Sequence, residues 1–178
     1  GINASLKTTS NKEFIIPRSS GYIGVLIDDL VTKGTKEPYR MFTSRSEYRL
    51  LLRADNADLR LTPLGIDVGC VDINRQREFE KKSSRIKEGF SFVKSQKFSP
   101  DALLKKGIKI NKDGKKRNII DLLSFSNITT NKLKKILPKL SDLEDDVIEQ
   151  IEIEAKYAGY LDRQRMDIQD FEKEENLK

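Results

Sequence analysis

Near its end the chain repeats an apolar residue every three or four positions, at Ile148, Ile151, Ala155, Ala158 and Leu161. On a helix these side chains share one face, whereas on a strand they would scatter over both. The stripe predicts one long helix, opened by the capping-box pattern Ser141-Asp142-Leu143-Glu144 and running to about residue 175. The same punctuation recurs upstream. Ile23, Leu26, Ile27 and Leu30 form the stripe of a helix over about 20–32, and Gly34 suits its end. Ser44-Arg45-Ser46-Glu47 is another capping-box pattern and predicts a helix starting there, with Leu50, Leu51 and Leu52 on its apolar side. Asn56 breaks or bends the chain, and Thr62-Pro63 reads as the cap and first-turn proline of a short helix closed by Gly65 and Gly69. Asp72 caps a helix over about 73–96, and shorter helices follow after Ser99-Pro100 and at about 118–124 and 130–137. Residues 1–9 read as the tail of a helix, Ser10-Asn11-Lys12 as a turn, and Phe14-Ile15-Ile16 as extended ahead of Pro17. Residues 105–117 hold seven lysines or arginines and one acid, and read as an exposed loop or weak hairpin. Strand signals are few. The fold class is mainly α, with few or no strands.

Charge divides the chain unevenly. Residues 1–140 carry 29 Lys and Arg against 15 Asp and Glu, a balance of +14; residues 141–178 carry 5 against 13, a balance of −8; together they give +6. A basic body suggests an anionic partner. The chain has no histidine and one cysteine, Cys70, which excludes a histidine-relayed nucleophile and nearly excludes a zinc site. A lone cysteine makes no intrachain disulfide and points to a reducing compartment: the cytoplasm, or the mitochondrion for a eukaryotic source. No apolar run approaches the ~20 residues of a membrane span. The chain opens on Gly1 without a methionine or signal-peptide pattern, and reads as a part of something longer.

The least generic stretch is Gly21 to Gly69, where Tyr39, Arg40, Phe42, Arg45, Tyr48, Arg49 and Arg53 crowd together. On a helix, Arg45, Arg49 and Arg53 would project from nearly one side, at a cost in mutual repulsion that an outside anion would offset. Guanidinium on phosphate with ring on base is the mixture that holds single-stranded RNA. The alternative stays open: the arginines pair with Asp28, Asp29, Asp55 or Asp58, and the rings and leucines are core. Asp28 and Asp29 are adjacent and diverge by about 100° on a helix, so a salt bridge or cap suits them better than paired acid/base work. Thr32-Lys33-Gly34-Thr35-Lys36 lacks the spacing of a phosphate-cradling nucleotide loop, but Lys33 and Lys36 remain candidate phosphate contacts.

The segments YIGVLIDDL, GTKEPYRMFTSRSEYRLLLR, DNADLRLT and IEIEAKYAGYLDRQ resemble the C-terminal part of the glucose-inhibited division protein A family (GidA/MnmG), FAD-dependent enzymes that modify the wobble uridine of tRNA. Gly1-Ile2-Asn3-Ala4 resembles the end of that family's second glycine-rich signature, which makes Gly1 and Asn3 the candidates to reach the cofactor. The resemblance implies a parent enzyme that uses FAD, NADH and a folate one-carbon donor to install an aminomethyl-type group at carbon 5 of the uridine. It also implies a homodimer, a partner GTPase that docks beyond this segment, and no membrane. No catalytic residue is implied here, since the family's catalytic cysteines lie upstream and Cys70 matches neither. The implied division is 1–20, the end of the FAD-binding domain and a linker; 21–140, a basic helical tRNA-binding region; and 141–178, a long acidic helix that starts the terminal helical subdomain. Clustering and a shared face predict Arg40, Arg45, Arg49 and Arg53, with Lys33 and Lys36 in support, as the contacts to tRNA backbone. A protein-interaction module using the last helix is the competing reading. Two departures stand out. Ser20-Gly21 replaces the family's more usual acid and alanine, which would soften a helix start by up to ~1 kcal/mol, and the lysine-rich run at 105–117 follows no family pattern.

Overall fold

The computed structural model describes residues 1–9 and 13–175. Eight α-helices carry the described chain: α1 (Ile2–Thr9), α2 (Tyr22–Thr32), α3 (Ala57–Asp67), α4 (Ile73–Ser95), α5 (Pro100–Lys105), α6 (Ile119–Leu123), α7 (Thr130–Ile136) and α8 (Asp145–Glu175). Two short strands, β1 (Lys97–Phe98) and β2 (Arg117–Asn118), pair antiparallel with Lys97 opposite Asn118 and Phe98 opposite Arg117. The expected turn at Ser10-Asn11-Lys12 lies outside the described residues.

The chain forms two compact units. One comprises residues 1–79 with 160–178, the other 80–159. The second has the larger apolar core, with Ile86, Val93, Leu103, Ile119, Leu122, Leu133, Val147, Ile151 and Ala155 all buried. Local chemistry accounts for its short helices. Ser99 accepts from the Ala102 amide with Pro100 in the first turn of α5. Asn118 and Asp121 form a reciprocal capping box on α6, and Thr129 caps α7. Where α4 passes α8 within this unit, Gly89 removes the obstacle: a Cβ there would lie 2.4 Å from Val147 Cγ1. Of the expected α8 stripe, Ile151 and Ala155 are buried here and Ile148 and Ala158 half-buried, with Val147 buried in addition. The capping box expected at Ser141–Glu144 does not form. Ser141 lies in a 3₁₀ turn over Pro138–Asp142, and the Glu144 carboxylate is taken by Arg85, so α8 begins at Asp145.

The first unit buries few apolar side chains, among them Val25, Leu52, Phe79 and Leu161, and includes the buried polar residues Asp29 and Ser46. Asp72 caps α4 as expected, accepting from the amides of Asn74 and Arg75. Three expectations are corrected. First, α2 is turned: Gly24, Val25 and Asp29 face inward, whereas Ile23 and Ile27 are each 49% exposed and Leu30 38%. The expected stripe therefore turns largely outward, with Leu26 alone half-buried, because the buried carboxylate lies on another side. Second, α3 starts at Ala57, six residues before Pro63, which sits inside the helix. Thr62 does not cap it but donates to Asp58 at 2.6 Å. Third, Gly21 is the N-cap of α2 rather than a helical residue, so glycine's helix-interior cost does not apply there.

Candidate nucleic-acid interface

The helix expected from Ser44 is absent. Thr43–Arg45 is one 3₁₀ turn and residues 47–51 form further turns. A capping box needs the Glu47 carboxylate to fold back on the Ser44 amide. Instead both Glu47 oxygens accept from Arg18 Nη2, at 2.7 and 3.0 Å, and the Glu47 carbonyl accepts from Gln164 Nε2 at 3.1 Å. Arg45, Arg49 and Arg53 consequently do not share a helical face.

What orders this segment is Asp29, 3% exposed. Its Oδ1 accepts from Arg18 Nη1 at 2.8 Å and from Lys33 Nζ at 3.0 Å, and its Oδ2 from the Tyr39 hydroxyl at 2.7 Å. Arg18 Nη1 also reaches Asp28 Oδ2 at 2.8 Å, so the adjacent carboxylates converge on one nitrogen despite their divergence along α2. The salt-bridge reading of the pair is the one realised. Arg45 lies over the Tyr39 ring, 4.5 Å from its centroid, with Nη1 3.8 Å from Asp29 Oδ2. Three cations (Arg18, Lys33, Arg45) thus meet three carboxylates (Asp28, Asp29, Glu47). Hydrogen bonds from Tyr39, Arg18 and Lys33 hold the Asp29 carboxyl well below the usual carboxylate range. Burial, then the bond to Asp29, pushes Tyr39 up, so its hydroxyl stays a donor. Burial opposes the charge on Arg18, but hydrogen bonds to Glu47, Asp29 and Asp28 outweigh it and its pKa rises.

Gly24 lets this junction close. A Cβ there would lie 2.4 Å from the carbonyl oxygens of both Ile16 and Pro17, the backbone that leads into Arg18. At the far side of the segment Arg60 donates to the Ser20 carbonyl, to the Arg53 carbonyl at 3.1 Å and to Asn56 Oδ1 at 2.7 Å. Sequence reading missed Arg18 and Arg60. Neither lies in a periodic or capping pattern, and their partners stand as many as 29 and 40 residues away.

The six expected RNA contacts separate into three groups. Lys36, Arg40 and Arg49 are exposed and make no ion pair with a described residue; Phe42 beside them is 53% exposed. Lys33 and Arg45 are tied to the Asp29 junction yet keep much of their side chains in solvent. Arg53 is 16% exposed, paired with Asp55 at 3.0 Å and donating to the Leu50 carbonyl at 2.6 Å. An open cavity of about 290 Å³ beside the junction is lined by Arg18, Asp28, Lys33, Glu47, Tyr48 and Phe171. The Asn3 amide is committed at both ends to the Phe14 backbone, at 2.7 and 2.9 Å, and a Cβ on Gly1 would meet open space. No helix among the described residues is long and apolar enough to cross a membrane.

Residues 74–165 match the family model for the tRNA modifying enzyme MnmG/GidA C-terminal helical domain. The chain belongs to the MnmG/GidA family. It is 44% identical, over 98% of its length, to the tRNA uridine 5-carboxymethylaminomethyl modification enzyme MnmG of Desulfitobacterium hafniense strain Y51, and 43% identical to that of strain DSM 10664 / DCB-2. It spans 28% of the length of these MnmG relatives. Its fold is similar to Aquifex aeolicus GidA in the form II crystal, with a TM-score of 0.77 at 34% identity over 97% of this chain and 27% of that one. The form I crystal gives 0.76 at 33%. The mainly helical class expected from sequence is the one observed.

Proposed function

We propose that this chain is the tRNA-holding and scaffold portion of an enzyme that modifies carbon 5 of the wobble uridine. The observation that carries the reading is the segment 33–49: it is fixed by the buried Asp29, yet it presents Lys36, Arg40, Phe42 and Arg49 to solvent. A structural ion-pair network alone would leave fewer cations unpartnered beside an exposed ring. Lys36, Arg40 and Arg49 contact phosphates, Phe42 stacks on a base, and Lys33 and Arg45 add charge from the rim of the junction. Arg53 acts through the backbone it braces. In this reading the partition at 20/21 and 140/141 is one of role, and the 1–20 segment leads from the cofactor-binding part. FAD, with NADH and a folate donor, supplies the redox and one-carbon chemistry; this chain orients the substrate. The working place is the cytoplasm or the mitochondrion, and the working form a homodimer with a GTPase partner.

The test is RNA affinity as a function of salt. Each lost phosphate contact lowers the slope of log K against log salt by about one unit. Lys36→Ala with Arg40→Ala and Arg49→Ala is expected to lower it by two to three, on the order of one per contact. An unchanged slope sinks the reading.

A second reading, protein interaction without RNA contact, is favoured by one observation: the outward stripe Ile23, Ile27 and Leu30 on α2. The α8 stripe first considered for that role is buried in its own unit at Ile151 and Ala155. A strictly monomeric protein in light scattering would count against self-association through α2.

A further inference from the structure

From Ala102 to Leu140 the chain carries eleven lysines and arginines and two carboxylates, Asp113 and Asp121. Both carboxylates are already engaged. Asp113 accepts from Arg117 at 2.6 and 3.0 Å and from the Lys115 amide at 3.1 Å. Asp121 is closed in the capping box with Asn118. Lys109, Lys115, Lys116, Lys135 and Lys139 are exposed, and none is ion-paired among the described residues. Lys112 stands 3.9 Å from Asp101, with both side chains mostly in solvent.

A lysine run is ordinarily a solvated face. Here the fold changes that reading in two ways. The ladder of β1 and β2 closes the base of the excursion 99–116, and Lys106 Nζ donates to the Ile136 carbonyl at 3.0 Å, tying the loop to the end of α7 and its lysines. Cations from two stretches are gathered, and the two acids among them are already committed, Asp113 to Arg117 and Asp121 to the α6 cap, which leaves the lysines in excess. The positive field is concentrated rather than dispersed.

We propose that this lysine surface of the 80–159 unit is a second, sequence-blind contact for the phosphate backbone of RNA. It rests on the RNA-holding reading above for the identity of the polyanion. Ten of the eleven cations are lysines, point charges on flexible stems with no planar fork for base edges. The single arginine, Arg117, is clamped by Asp113 and lies 5.7 Å from the Phe125 ring centroid. That fork is committed to Asp113 and the other cations are lysines, so the surface positions RNA without specifying sequence.

The experiment compares the intact protein with two variants against an unmodified tRNA transcript and an unrelated oligonucleotide of equal length. One variant replaces Lys109, Lys112, Lys115 and Lys116 by Gln; the other replaces Lys36, Arg40 and Arg49 by Ala. The lysine variant is expected to lose about three units of salt slope, roughly 0.7–0.9 per contact, and to lose it equally on both RNAs. A lower slope supports the second surface whatever the other variant shows. An unchanged slope in the lysine variant, while the parent binds RNA, overturns it and leaves the 33–49 reading standing. No RNA binding by the parent overturns both. Tighter binding to poly-glutamate than to RNA of equal charge overturns RNA as the occupant in favour of an acidic protein. Because the four lysines lie in a loop and none packs in the core, an unchanged melting curve checks that the variant is folded.

Discussion

At the scale of single residues, one buried carboxylate decides the local structure. Asp29 is the acceptor for three donors on three chain segments, and removing it takes from Arg18, whose side chain is 13% exposed, one of its three carboxylate partners and leaves a vacated volume. Breaking a buried, hydrogen-bonded pair costs about 3–5 kcal/mol. Asp29→Ala is expected to lower unfolding free energy by about 3 kcal/mol, toward the low end because Arg18 keeps Asp28 and Glu47. Denaturant titration measures it, and a loss under about 1 kcal/mol would show that Asp29 is not the organising acceptor. Nothing in the local pattern marks Asp29 as buried. Adjacent acids on an amphipathic helix read as its wet side, and the apolar residues Ile23, Ile27 and Leu30 read as its dry one. The inversion comes from Arg18, whose approach is permitted by a feature of Gly24 that no periodicity reveals.

At the scale of elements, legibility follows the distance over which an element is determined. Helices α4 and α5 are readable from their caps because these are local: Asp72 and Ser99 each bond an amide two or three residues on. The structure adds equally local caps for α6 and α7 at Asn118 and Thr129. The segment 43–56 was not readable, because its fixing partners are Arg18 and Gln164, the latter 117 residues from Glu47. The same Ser-x-x-Glu spelling failed at 141–144 for a related reason, since Arg85, 59 residues away, takes Glu144. A short motif states a preference, and a distant arginine can outbid it. Packing makes a further prediction for α4. By propensity alone, Gly89→Ala should gain about 1 kcal/mol. The new methyl would sit 2.4 Å from Val147 Cγ1, and overpacking costs about 1–3 kcal/mol. The net expectation is a loss of about 1 kcal/mol, read as a lower denaturation midpoint; a stabilised variant would contradict the close packing of α4 on α8 within the 80–159 unit.

At the scale of the whole molecule, the charged sites set a pH window. Asp29 is held well below the carboxylate range by Tyr39, Arg18 and Lys33, and Asp113 is pulled down to about 2 by the Arg117 hydrogen bond, then by the Lys115 amide. A depressed folded-state pKa gives stability that is complete above the unfolded value, about 4 for aspartate, and is lost as pH falls through the folded one. Tyr39 is raised, first by burial and then by Asp29, so its contribution is complete below about pH 10 and lost above it. The melting temperature is therefore expected to hold between about pH 5 and 9, to fall below about 4 and to fall again above about 10. Asp29→Asn should flatten the acid limb. An acid limb that is the same in both proteins would contradict the assignment. The family and its mainly helical class were legible from a few long segments. The clustering of six arginines and lysines along 33–53 is visible in the sequence, but not their separation into exposed, half-engaged and bracing members, which depends on contacts distant in sequence.

Gly24 bears on how variants of this protein are to be interpreted. It has no side chain, no charge and no polar group beyond its backbone, yet the turn bearing Arg18 rests where a methyl would have been. The spacing of the exposed cations around 33–49 is thus inherited from an absence. A substitution at position 24 would leave net charge and every cation in the sequence untouched while displacing the frame that spaces them. In a survey that scores changes by charge it would pass as silent, and in an assay of grip on a polyanion it would look like the loss of a charge.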